Sequence, residues 1–198
     1  MFQFYEDEEM KDPTSLIQNT GIVGEKNVIS GVIYFGCPDK NLQLQTKAES
    51  GINPVMISPF FRLPEIARNT QYTKNATRNT DLALNGFVYR LVQSGKTAEN
   101  APLFSQKIGD EIIDGTALWR CVSEAHNVAE IKLALSEEQL ETAAAGNPLS
   151  IGRTVKGGAA VAIYYSIENG VDRIFSDFDS PQLSLSINEC VIDEIKEN

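Results

Sequence analysis

Apolar and polar residues alternate with a period of two along much of this chain, the pattern of half-buried β-strands. Leu42-Gln43-Leu44-Gln45 alternates in this way, and Ile131, Leu133 and Leu135 are interleaved with Lys132 and Ala134. Leu183, Leu185 and Ile187 alternate with Ser184, Ser186 and Asn188. Over residues 159–167, Ala159, Val161, Ile163, Tyr165 and Ile167 share one face. Gly86–Val92 places Phe87, Tyr89 and Leu91 on one face and Val88, Arg90 and Val92 on the other. Asn27–Phe35 is rich in Val, Ile and aromatics and stops at Gly36-Cys37-Pro38-Asp39. Pro54–Ser58 is a short apolar run closed by Pro59, and Thr116–Val122 carries the single tryptophan, Trp119. Short strands punctuated by Gly, Pro, Asn and Asp predict an all-β fold, an antiparallel β-sandwich.

One short helix interrupts this pattern. Ser136 is placed to cap it, and Gln139 follows at the capping-box spacing. Glu137 and Glu138 suit the positive end of the helix dipole. Leu140 with Ala143 or Ala144 forms the apolar stripe, Gly146 supplies a left-handed stop, and Asn147-Pro148 prevents continuation. Two to three turns are too short to be stable alone, so this helix must pack on a sheet.

The middle of the chain differs. Residues 69–85 are polar and rich in Asn and Thr, Gln93-Ser94-Gly95-Lys96 reads as a turn, and Asp114-Gly115 between two apolar runs signals a hairpin. Residues 64–122 are therefore expected to form a small β module inserted in a larger domain. Residues 1–63 and 123–198 would build that β core domain together, because each flank alone is too small for an independent core.

Composition narrows the function. The chain has 198 residues, 42% of them hydrophobic, and a net charge of -10. That is enough apolar material for a core. The negative balance repels nucleic acid and anionic membrane. No run of apolar residues is long enough for a transmembrane helix, so no membrane insertion is expected. The start of the chain carries Glu6, Asp7, Glu8 and Glu9, the opposite of a signal peptide. Cys37, Cys121 and Cys190 lie far apart, without metal-ligand spacing, and read as small apolar residues in a reducing compartment.

Catalytic signatures are missing. The one histidine, His126, has no nucleophile elbow to serve, and neither a dinucleotide loop, a phosphate loop nor a zinc-protease motif occurs. No enzyme activity, cofactor or metal is expected. Asp110, Glu111 and Asp114, or Asp172, Asp177 and Asp179, could offer oxygens to Ca²⁺, but neither group has a complete ligand-loop spacing and both also read as solvated turn acids.

Several stretches of the middle segment carry a resemblance. Asn85-Gly86-Phe87-Val88-Tyr89-Arg90, Ser94-Gly95-Lys96-Thr97, Pro102-Leu103-Phe104, Ile108-Gly109, Ile112-Ile113-Asp114-Gly115-Thr116 and Leu118-Trp119-Arg120-Cys121 look like a small carbohydrate-binding-like module of tailed-bacteriophage virion proteins. Leu91 and Phe104 stand where that pattern often has Cys and Trp. The flanks are similar to small phage virion structural proteins at Val32-Ile33-Tyr34-Phe35-Gly36, Ser50-Gly51-Ile52-Asn53-Pro54-Val55, Glu130-Ile131-Lys132-Leu133-Ala134 and Pro148-Leu149-Ser150-Ile151-Gly152, and from Leu183 to Asn188.

The resemblance implies a non-enzymatic virion structural protein, assembled in the host cytoplasm, bound to other virion proteins and repeated as a homo-oligomer on a symmetric particle. A tail or tail-tip (baseplate) accessory component touching host-surface glycan is the leading expectation. A capsid decoration protein clamping capsid subunits is the alternative, and a glycan-active enzyme is the alternative from another class.

Two sets of residues are candidate sites. Tyr72, Tyr89, Phe104 and Trp119 could offer flat faces to sugar rings, or could be the core of a module with few other core residues. Phe2, Phe4 and Tyr5, followed by Glu6, Asp7, Glu8 and Glu9, could form an arm that docks on a neighbouring virion protein, or a solvated tail.

Overall fold

The computed structural model describes residues 1–15, 27–169 and 182–195. In chain order the strands are β1 Gln3–Tyr5, β2 Asn27–Gly36, β3 Leu42–Thr46, β4 Met56–Phe61, β5 Gln71–Tyr72, β6 Asp81–Leu84, β7 Phe87–Gln93 and β8 Gly95–Lys96. They continue as β9 Glu111–Asp114, β10 Ala117–Glu124, β11 Ile131–Ala134, then helix α1 Glu137–Thr142, β12 Leu149–Ser150, β13 Thr154–Lys156, β14 Val161–Asn169, β15 Leu183–Ile187 and β16 Cys190–Glu194. The pairings between these strands are antiparallel, and the fold is an all-β, sandwich-like one, as the alternation predicts.

One layer of the sandwich is the sheet β1-β2-β14-β11. Its spine is the ladder of β2 with β14, paired from Val161↔Phe35 to Asn169↔Asn27. The opposite layer is made of two three-stranded ladders, β12-β4-β15 and β13-β3-β16. Each strand of one continues along the chain into a strand of the other, so the ladders extend each other across the loop 47–55. Between the layers Ile33, Phe35, Leu44, Val55, Ile57, Ile131, Leu133, Val155 and Ile163 form a common core. Phe35, Ile57, Val55 and Ile163 are fully buried, each contributing roughly 1.5–3 kcal/mol by leaving water.

β4 does not stop at Pro59, as the apolar run alone suggests. Pro59 lies inside the strand opposite Leu185. The bonds from Arg62 N–H to Gln182 O and from Asn188 N–H to Met56 O place the even-numbered residues of β4 in hydrogen-bonded pairs with β15 and its flanks. The nitrogen of Pro59 therefore points to the other side, where β12 reaches only Met56 and Ile57, and no ladder donor is lost.

The first residues are part of the sandwich. β1 pairs with β2 through Gln3↔Gly36, Phe4↔Phe35 and Tyr5↔Tyr34. Phe2, Tyr5 and Met10 are buried, and the rings of Phe2 and Phe4 lie 6.2 Å and 5.2 Å from that of Phe35. These aromatics serve the chain's own core instead of forming a free arm.

The helix begins as expected, with the Ser136 hydroxyl accepting from Gln139 N–H. It ends at Thr142, earlier than Gly146, because Ala143 is already extended. Gly146, at φ 77°, turns the chain so that its N–H reaches Ile131 O at 2.7 Å. Leu140 is the buried residue of α1. Leu135, outside β11, is exposed, and β14 starts at Val161 rather than Ala159.

A second core lies wholly within residues 66–121: Ile66, Leu82, Tyr89, Leu91, Phe104, Ile112, Ala117, Trp119 and Cys121. It fills one face of the sheet β6-β7-β10-β9. Both ends of this segment meet at one residue. Arg62 N–H donates to Gln182 O, while the Gln182 side chain accepts from His126 N–H and approaches the Ser123 hydroxyl. The segment thus leaves and re-enters the sandwich at neighbouring points.

Two consequences are measurable. Removing residues 1–10 should lower the melting temperature by roughly 10 °C or more, because it deletes β1 and three buried side chains; unchanged melting would show that β1 is only a decoration. Replacing residues 66–122 with a short Gly/Ser linker should leave a folded β protein by circular dichroism, since the ends already converge and loop closure costs little. An unfolded or aggregated product would mean that the two cores are one cooperative unit.

Candidate functional site

The expected aromatic platform is placed in the second core. Trp119 and Tyr89 are fully buried and Phe104 is 8% exposed. Tyr72 is half-buried: its ring meets Trp119 edge-on at 5.2 Å, and its hydroxyl accepts from Ala67 N–H. Tyr89 packs edge-on against Phe104 at 4.9 Å and donates to Ser105 O. The Arg68 guanidinium lies 5.8 Å from the centre of the Phe104 ring while pairing with buried Asp114 at 2.8 Å. Trp119, Tyr89 and Phe104 are therefore enclosed by the protein itself, and of the four residues Tyr72 alone keeps an appreciable part of its surface in solvent.

The other conspicuous residues of this segment also hold its structure. Asn85 and Gly86, both at positive φ, make the tight turn between β6 and β7, a hairpin signal the sequence carries as Asn-Gly. Asp114-Gly115 opens the β9–β10 hairpin, as expected. Gly95 lies in β8, paired with Tyr72 of β5, rather than in a turn; a Cβ there would fall 2.2 Å from the Thr116 backbone. The Thr97 hydroxyl, almost wholly buried, donates to Ala67 O and accepts from Thr70 N–H. β6 lies in the stretch that reads as polar, yet Asp81, Leu82 and Ala83 are buried, with Asp81 paired to Arg90 at 2.7 Å.

The candidate calcium carboxylates are divided among separate partners. Asp110 accepts from Ser105, Glu111 pairs with Arg120, and Asp114 holds Arg68 and Ala98 N–H. Asp172, Asp177 and Asp179 lie outside the described residues. His126 Nδ1 meets Glu130 Oε2 at 2.5 Å, and Glu130 also accepts from Asn127 N–H, so this imidazole belongs to the capped turn that leads into β11. At the start of the chain, Asp7 accepts from Asp12 and Lys11 N–H, which holds its carboxyl below the usual range. Glu6, Glu8 and Glu9 are exposed.

The structure does form a concave site, in a place the sequence does not single out. In β2 and β14, residues 31, 33, 163 and 165 face the core side of the sheet, so the alternate positions face outward. α1 follows β11 and folds back over this outer face, with Leu140 buried beneath it. Between the helix and β2 this leaves an open groove of about 460 Å³. Strand register sets its floor in two rows. Lys132 stands opposite Ser166, which stands opposite Ser30; Ala134 stands opposite Tyr164, which stands opposite Val32. Glu137, Leu140 and Glu141 line it from α1. The available signal was Tyr164, an aromatic on the face that also carries Ser166 and Glu168.

The groove offers a phenol ring, two serine hydroxyls, one ammonium and two carboxylates. Both carboxylates stand on the helix side, and Lys132, Ser166 and Ser30 form one row of the floor. No protein-family model, curated protein or solved structure matches the chain. Among the described residues, no helix is long and apolar enough to cross a membrane.

Burial in the second core leaves a titration signature. It pushes the Tyr89 phenol up to about 12, with the neighbouring Cys121 adding to the shift. It pushes the Cys121 thiol up to about 11, with a further push from the Asp110 carboxylate. Both groups are raised above their ordinary values of 10.0 and 9.0. Their native preference for the neutral form is therefore fully present below those values and is lost as the pH rises through the raised ones. The urea midpoint should fall between about pH 9 and 12, and Cys121→Ala should lose less than the parent between pH 9 and 11. Equal losses would show that Cys121 does not titrate with the fold.

Proposed function

We propose that this chain is a non-enzymatic structural protein of a tailed-phage virion, a tail or tail-tip accessory component that touches host-surface glycan. The observation supporting this reading is the architecture of residues 85–121. The residues that carry the resemblance to the phage module include the Asn85-Gly86 turn, close-packed Gly95, buried Thr97, the Asp114-Gly115 turn, and Trp119 and Cys121 in a core of its own. A sandwich carrying such a unit suits a protein that attaches by one part and projects the other. Weak contacts to glycan then gain strength by repetition around a symmetric particle, without any single tight site.

Antibodies to the recombinant protein should label particles of the phage whose genome encodes it, at the end of the tail. Labelling spread over the head would favour capsid decoration. Absence of the protein from purified particles, checked by mass spectrometry, would overturn the virion reading.

A further inference from the structure

We propose that the groove between α1 and the outer face of β2-β14-β11 is a binding site for an uncharged pyranose saccharide. This inference rests on the glycan-contact part of the reading above, but assigns it to the sandwich rather than to the buried aromatics of residues 66–121. The argument begins with size. At about 460 Å³ the groove is large enough for a small ligand, since such sites run from about 300 to 1,000 Å³.

Its chemistry is amphipathic in the manner of a sugar ring. Tyr164 and Val32 are adjacent in register on the floor, and Leu140 adds apolar surface from the helix. Together they offer an apolar strip to the C–H face of a pyranose. The polar groups lie around that strip. Lys132, Ser166 and Ser30 form the next row of the floor, and Glu137 and Glu141 stand on the helix side. Lysine only donates, carboxylates only accept, and serine hydroxyls do both. Sugar hydroxyls can satisfy all three kinds of group at once.

Charge selects among saccharides. The groove has one ammonium against two carboxylates, and the whole chain carries -10. An acidic sugar or a phosphorylated one would meet net repulsion.

The test uses the full chain, ¹⁵N-labelled and followed by NMR. The probes are the methyl glycosides of glucose, galactose and N-acetylglucosamine, with N-acetylneuraminic acid and glucose 6-phosphate as anionic controls, each to about 10 mM, where weak sites fill. At least one neutral glycoside should shift amides near 30–32, 132, 137–141 and 164–166, and the anionic probes should not. Tyr164→Ala should weaken binding about tenfold, while Tyr164→Phe, which keeps the ring, should retain most of it; an otherwise unchanged spectrum certifies the fold of each variant. Shifts centred on Tyr72, Tyr89, Phe104 and Trp119 would return glycan contact to the inserted segment and overturn this assignment. Preference for the anionic probes, or no shifts with any probe, would overturn it as well. Particle labelling decides the virion reading separately, so the two can fail independently.

Discussion

The ladder between β2 and β14 is the constraint on which the rest of the sandwich depends. Its continuous register fixes which side chains point to each side over nine opposed pairs. On the inner side it sets Ile33, Phe35 and Ile163 into the main core. On the outer side it sets Ser30, Val32, Tyr164 and Ser166 into the floor of the groove. A slip of one residue would exchange the two sets, burying hydroxyls and exposing the core aromatics. Fold and groove are therefore two faces of one hydrogen-bonding pattern.

β1 and α1 complete opposite sides of that sheet. β1 brings Phe2 and Phe4 against Phe35 and covers the edge of β2. α1 is too short to persist alone, but Ser136 caps it and Leu140 anchors it. Because it covers β11 and β14 without reaching across β2, it converts a flat polar sheet face into a concave one.

The segment between residues 64 and 122 is held by different means. Buried Asp114 pairs with half-buried Arg68, whose guanidinium lies against Phe104, while Asp114 also accepts from Ala98 N–H and the Thr97 hydroxyl bonds to Ala67 and Thr70. Removing Arg68 would strand the Asp114 carboxylate away from water, a cost larger than loss of a surface pair. Trp119, the largest fully buried side chain, packs its ring edge-on against Tyr72 at 5.2 Å. Gln182 ties both ends of the segment to the sandwich. Most of these contacts join residues separated by many positions along the chain.

That separation divides what was legible from what was not. Alternation and turn chemistry alone determined the all-β class, the inner faces of β7 and β14, the β9–β10 hairpin and the capped start of α1, because each depends on neighbours within one strand, turn or helical turn. Local punctuation misled where a distant strand intervened: Gly95 joins β8 because Tyr72 lies opposite it, and Pro59 stays in β4 because β12 ends before reaching it. The aromatic residues were legible as either the core of a small module or a face for sugars, since a ring can serve both with the same spacing; only the tertiary packing decides for the core at Tyr89, Phe104 and Trp119. Likewise Phe2, Phe4 and Tyr5 look like an arm until β2 supplies their partner. The groove was decided only in three dimensions: Lys132, Ser166 and Ser30 come from three separate stretches, and strand register, not sequence proximity, makes them neighbours.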